Sequence, residues 1–258
     1  MIKISGLTKN FKDKCAVNNL NLNISRGEIF GFLGPNGAGK TTTIKMITGI
    51  TQPDKGEILI NNIDIHKNPI QAKSIIGYVP DRPYLYELLT AREFFRFIGG
   101  IYNIDIKEAE QRGMDFLDRF EMADEGDSLI ESFSHGMKQK VIMAASILHN
   151  PPVLIIDEPM VGLDPKSANL IKEHFINLAR NKKVTLFIST HTLSVVEDIC
   201  TRVGIIFKGQ LIALGDIEQI KDKSALENPS LEKAFLQITM EEYDRKIDVL
   251  DMKTESPE

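Results

Sequence analysis

Residues 34–41 read GPNGAGKT, a glycine-rich loop closed by Lys40 and Thr41. The pattern Gly, any four residues, Gly, Lys, then Ser or Thr is that of a phosphate cradle. Gly34, Gly37 and Gly39 open backbone angles closed to other residues, so the amides of Asn36, Gly37, Ala38 and Gly39 can turn inward on anionic oxygens. Lys40 adds a mobile positive charge. The Thr41 hydroxyl is a Mg²⁺ ligand by type, because that ion takes one or two protein oxygens and completes its shell with water and substrate phosphates. Thr42 follows on the same turn. The expected ligand is a Mg–nucleoside triphosphate.

A second cluster lies at residues 153–158, VLIIDE, four apolar residues ending in two carboxylates. On a strand, neighbours point to opposite sides, so Asp157 and Glu158 reach different points of one site. That arrangement suits phosphoryl hydrolysis, in which one acid holds the metal and another orients or deprotonates the attacking water.

These groups need a scaffold that puts a loop between a strand and a helix. Residues 28–33 are apolar enough for a buried strand, and residues 41–48 read as a helix that Gly49 ends. The loop thus falls at a helix N-terminus, where the dipole favours anions. Ile2, Ile4, Leu20, Leu22 and Ile24 alternate as antiparallel strands flanking that first buried strand, and residues 57–60 read as another. From about 84 to 150 the sequence turns helical, with Thr90 and Glu93 spaced as a capping box and Gly99-Gly100 as a stop. After Pro151-Pro152, strands at 153–156, 184–189 and 203–207 alternate with helices at 165–180 and 193–200. Asp164 before Pro165 is a helix N-cap. The expected fold is α/β, a phosphate-loop NTPase core with a wrapped, mainly parallel sheet, an N-terminal antiparallel β-subdomain and an inserted helical subdomain. The domain is expected over 1–240, with a polar, fraying tail at 241–258.

The 258 residues are 42% hydrophobic and 26% charged, ordinary for a globular protein. Lys and Arg total 31 against 36 Asp and Glu, a net charge of −5, which supplies no basic field for nucleic acid. No uncharged apolar run approaches the ~18 residues of a membrane span. Cys15, Cys200, His66, His149 and His174 lack partners at metal-ligand spacing and are assigned structural or solvent-facing places. The sequence reads as cytoplasmic.

With these pieces in hand, the chain resembles the ATP-binding cassette (ABC) family, the ATPase subunits of ABC transporters, over nearly its whole length. Ser134-His135-Gly136-Met137-Lys138-Gln139 is similar to the family signature, Val161-Gly162-Leu163-Asp164-Pro165 to the loop after the second carboxylate, and Ser189-Thr190-His191 to the switch-histidine segment. The resemblance implies that Lys40 and Thr41 grip ATP phosphates and Mg²⁺, that Asp157 is the metal-side acid, Glu158 the general base and His191 the γ-phosphate sensor. It also implies a head-to-tail homodimer, in which Ser134 and Gly136 of one copy close over ATP held by the other. A separate integral membrane subunit, by preference an exporter, completes the assembly, placing this chain at the inner membrane face.

Phe11 falls where the family stacks an aromatic on adenine, with Val17 beside the base; as one of 13 phenylalanines, Phe11 equally suits a core. Residues 84–97 occupy the stretch that receives membrane subunits. Two positions depart from the pattern. Asp81 stands for the usual Gln, a carboxylate that can hold Mg²⁺ directly or through water, and His135 replaces the first signature glycine. Alternatives are a non-transport ABC ATPase on ribosomes or DNA, disfavoured by the single cassette and the acidic charge, and a weakly hydrolysing regulatory subunit, suggested by these two departures. No Asn-Lys-any-Asp segment for guanine occurs.

Overall fold

The computed structural model describes residues 1–254 apart from 13, 83, 225, 227 and 228, with only the backbone described for 245–254. Alternation builds the first sheet. In β1 (Ile2–Phe11) the buried Ile2 and Ile4 sit opposite Ile24 and Leu22 of β2 (Lys14–Ile24), and β4 (Lys55–Ile60) and β5 (Ile63–Asp64) extend an antiparallel sheet in the order β2-β1-β4-β5.

The second sheet has six strands in the order β10-β9-β3-β8-β7-β6. It comprises β3 (Ile29–Leu33), β6 (Ile76–Val79), β7 (Val153–Asp157), β8 (Thr185–Thr190), β9 (Arg202–Phe207) and β10 (Gln210–Gly215), all parallel except the edge strand β10. The first sheet therefore does not flank β3. Its strands pair only among themselves, and β3 lies between β8 and β9.

Period-two alternation divides the parallel strands between two cores. Phe30, Phe32, Val153, Ile155 and Phe187 face the antiparallel sheet and helix α1 (Lys40–Ile47). Leu33, Leu154, Ile156, Leu186 and Ile188 face the remaining helical layer. Both faces are covered, as a parallel sheet requires.

The short α2 (Pro69–Lys73) precedes β6, and the helical insert holds α3 (Ala91–Ile101), α4 (Ile106–Arg119) and α5 (His135–Ile147). The Thr90–Glu93 capping box is formed in both directions. Gly99-Gly100 does not stop α3, which runs on to Ile101. A Cβ on Gly99 would lie 2.3 Å from the Ala109 Cβ of α4, so this glycine lets two helices touch. Helix α6 (Pro165–Lys182) starts at Asp164, whose carboxylate accepts from the Ser167 amide at 2.9 Å. Then come α7 (Leu193–Ile199), α8 (Ile217–Asp222) and α9 (Leu231–Thr254). The backbone of α9 stays helical across residue 240, where the polar tail was expected to begin; residues 255–258 of that tail lie outside the described ones.

Candidate functional site

The phosphate loop joins β3 to α1, and its glycines are required by space as well as by angle. Gly37 and Gly39 have φ of +76° and +113°, and a Cβ on Gly39 would meet the Ala16 carbonyl at 2.5 Å. No side chain caps the N-terminus of α1, leaving its first amides for a ligand. The Ala38 amide is the exception, donating to Pro35 O at 3.2 Å while its methyl enters the core. Gly209, in the β9–β10 turn, donates to Ala38 O at 2.8 Å and accepts from the Asn18 amide at 2.8 Å, buttressing the loop from below.

A cavity of about 310 Å³ opens over this loop. Asn36, Gly37, Gly39, Lys40, Thr41 and Thr42 form its floor, Asp81, Asp157 and Glu158 one wall, and Phe11, Lys14 and Ala16 the rim. Phe11 is half exposed, with the Lys9 Nζ 5.4 Å from its ring centre, so it belongs to the rim and not to a core. Val17 does not reach the cavity. Strand alternation turns it wholly into the core and gives the rim position to Ala16. Lys14 and Ala16 were not anticipated; Lys14 sits opposite Phe11 in the β1–β2 register, a relation that only the pairing reveals.

Lys40 is buried, and its ammonium donates to Gly34 O at 2.6 Å and Pro35 O at 3.2 Å. Burial lowers its pKa, opposed by the charges of Glu158 and Asp157. Asp157, at the end of β7, is 2% exposed. Its Oδ2 accepts from the Thr41 hydroxyl at 3.3 Å, but its Oδ1 is buried without a partner, as is the Ser189 hydroxyl. Burial raises its pKa, outweighing the neighbouring Ser189 and Thr41 hydroxyls, which favour the charged form, and the nearby Glu158 and Asp81 carboxylates add to the rise. Burial and the same acidic neighbourhood, Asp157 and Asp81, carry the Tyr78 phenol up to about 12.

A buried carboxylate with an orphan oxygen beside a threonine hydroxyl and two further acids is a donor set for a hard cation. Among the described residues no group of three His, Cys, Asp or Glu could hold a metal unaided. That combination fits Mg²⁺, which draws remaining ligands from phosphate and water.

Glu158 adopts the left-handed region at φ +52°, and its amide donates to Ser189 O at 2.8 Å. The bend turns its carboxylate back over β8. There Oε2 accepts from the Thr190 hydroxyl at 2.9 Å and Oε1 lies 2.8 Å from His191 Nδ1. Thr190, which the sequence reading passed over, fixes the second oxygen of the proposed base; its place between Ser189 and His191 was the available signal.

Ser134 and Gly136 lie apart from the cavity within one chain. The Ser134 hydroxyl caps α5, accepting from the Met137 amide at 3.3 Å. A Cβ on Gly136 would lie 2.5 Å from Gly162 O, and the His135 ring lies against Gly162. The substituted histidine thus rests on the 161–165 loop.

The ABC transporter family profile matches residues 17–161, more than half of the chain. Linearmycin resistance ATP-binding protein LnrL of Bacillus subtilis is 39% identical over 215 residues, covering 83% of this chain and 69% of LnrL. The bacitracin transport ATP-binding protein BcrA of Bacillus licheniformis is 37% identical over 224 residues, covering 87% of this chain and 72% of BcrA. Among solved structures, an ATP-binding subunit of an ABC transporter superposes with a TM-score of 0.86 at 32% identity, covering 93% of this chain and 99% of that one. A dimeric ATP-binding cassette in a post-hydrolysis state, bound to ADP and phosphate, gives 0.78 at 27% identity, covering 84% and 98%.

Proposed function

We propose, from the premise that this chain belongs to the ABC transporter family as its ATP-binding, ATP-hydrolysing subunit, a division of labour among the residues around the cavity. The observation that carries it is Asp157, buried with one oxygen unpartnered and the other facing Thr41. The amides of Asn36, Gly37 and Gly39 and the ammonium of Lys40 hold the β- and γ-phosphates, with Thr42 on the same helical turn. Thr41, Asp157 and Asp81 hold Mg²⁺, whose chemistry when bound is to neutralise charge on the transferring phosphoryl group. Phe11 stacks on the base.

Glu158 accepts a proton from the attacking water, while that water's oxygen bonds to the γ-phosphorus and the bond to the β-phosphate oxygen breaks, giving ADP and phosphate. Thr190 and His191 orient the base, and His191 also meets the γ-phosphate. Ser134 and Gly136 complete the site from a second copy: α5 presents a free N-terminal end capped only by Ser134, and two copies in isologous contact use both anion receptors twice. No described helix is long and apolar enough to cross a membrane. The transport path is assigned to a separate membrane subunit, at whose inner face this chain sits. Exposed Tyr84, Tyr86, Leu88 and Phe97 form its docking surface. Similarity to linearmycin resistance and bacitracin transport proteins favours export of drug-like cargo.

The test is Glu158→Gln. ATP binding is retained, turnover falls by at least 10²-fold, in the range of a lost general base, and a dimer accumulates with Mg–ATP on gel filtration. Undiminished turnover would remove Glu158 from the chemistry, and a persistent monomer would remove the ATP-closed dimer.

A further inference from the structure

Two neighbouring strands deliver acids to the same end of the sheet. Strands β6 and β7 are parallel, with Val79 opposite Ile156, so Asp81 and Glu158 both stand two residues beyond that pair. Together with Asp157 they line one wall of the cavity over the phosphate loop. Their charges are felt jointly. Beyond the effect of burial, Glu158 and Asp81 raise the pKa of Asp157, and Asp157 and Asp81 raise that of Tyr78. Asp81 is exposed and has no hydrogen-bond or ion-pair partner among the described residues, and the adjacent Arg82 does not line the cavity.

The Gln usual in the family at position 81 would leave the lining balanced, with Lys14 and Lys40 against Asp157 and Glu158. Asp81 tips it to a net negative charge. A nucleoside triphosphate without metal is the most anionic form of the ligand, whereas bound Mg²⁺ cancels part of that charge and gives the acidic wall a cation to face. The wall does not hold the ion unaided, because among the described residues no three of His, Cys, Asp or Glu are grouped to bind a metal. Each component alone therefore finds an incomplete site: the cation lacks ligands, and the free nucleotide meets an uncompensated carboxylate. We infer, on the reading of this cavity as the ATP site, that Asp81 makes nucleotide binding conditional on the metal, so that the chain takes ATP as its Mg²⁺ complex and repels the metal-free nucleotide.

This inference has an outcome that a structural role does not share. Removing a carboxylate that both faces the cation and repels phosphate weakens binding of the complex and strengthens binding of the metal-free form. Loss of a packing or positioning contact weakens both. An exposed aspartate whose charge water screens completely changes neither.

The experiment is titration calorimetry on the full chain with β,γ-imido-ATP, which is not hydrolysed, in EDTA and in excess Mg²⁺. Wild type is expected to bind the magnesium complex more than about 10-fold tighter than the metal-free analogue, the order of one unit charge acting near a phosphate. Asp81→Asn and Asp81→Gln are expected to gain roughly 10-fold for the metal-free form and to lose affinity for the complex. Asp81→Glu keeps the wild-type contrast. Asp222→Asn, on α8 and outside the cavity lining, removes the same net charge without effect. A wild type that binds both forms alike overturns the inference, as do Asn and Gln variants whose metal-free affinity stays unchanged or falls; either result leaves the ATP-site reading standing. A wild type that binds neither form brings down that reading and this inference with it.

Discussion

Replacing Asp157 by Asn should make the protein more stable and less able to bind its ligand. The carboxylate is 2% exposed, has one oxygen unpartnered and lies in the field of Glu158 and Asp81. An amide of the same shape removes the buried charge and can donate to the Ser189 hydroxyl, which also lacks a partner. Leaving such a group unsatisfied costs about 1–3 kcal/mol, so the variant gains about that much, or roughly 2–12 °C in Tm. The sign with pH follows from the raised folded pKa. Stability from protonated Asp157 is complete below its unfolded pKa and is lost as pH rises through the folded one. The variant lacks that loss, so its advantage grows as pH rises from the unfolded pKa and is full above the folded one. Ligand reverses the order. Mg–ATP at a hundredfold excess over Kd adds about 2.7 kcal/mol to the wild type and should add almost nothing to Asp157→Asn. Thermal unfolding in EDTA, then in Mg–ATP, reads both halves. An Asp157→Asn protein that melts below wild type in EDTA would refute the view that this carboxylate is destabilising until a cation meets it.

Phe11→Ala should weaken ATP binding about 10-fold, consistent with ~1–3 kcal/mol for stacking a base on an aromatic ring, while turnover at saturating ATP and Tm without nucleotide stay near wild type; titration calorimetry checks the first and melting the last. Gly99→Ala and Gly100→Ala should move stability in opposite directions. The first gains helix propensity but drives a methyl into Ala109, a net loss of about 1–2 kcal/mol, whereas the second meets nothing within 4 Å and gains about 0.5–1 kcal/mol. Urea unfolding distinguishes the two.

The proposed site was legible where it is written in contiguous residues. The loop at 34–41 and the acids at 157 and 158 line one cavity, and His191 of the segment at 189–191 lies beside Glu158, so residue types pointed to groups that the fold brings together. What depended on pairing was not legible. Val17 and Ala16 are neighbours with opposite fates, decided by which face of β2 meets the core. A glycine that lets helices touch resembles one that ends a helix, so Gly99-Gly100 read as a terminator. The alternation of 2–24 announced antiparallel strands but not that they form their own sheet.

The left-handed bend at Glu158 sets two kinds of selection against each other. Asn or Gly accepts that conformation more readily than glutamate does, so a library screened for heat resistance alone should enrich them at this position. Survivors would be robust proteins stripped of the proposed base. Laboratory evolution of a tougher cassette therefore has to score turnover in every round, or the first residue it discards will be the base proposed for hydrolysis.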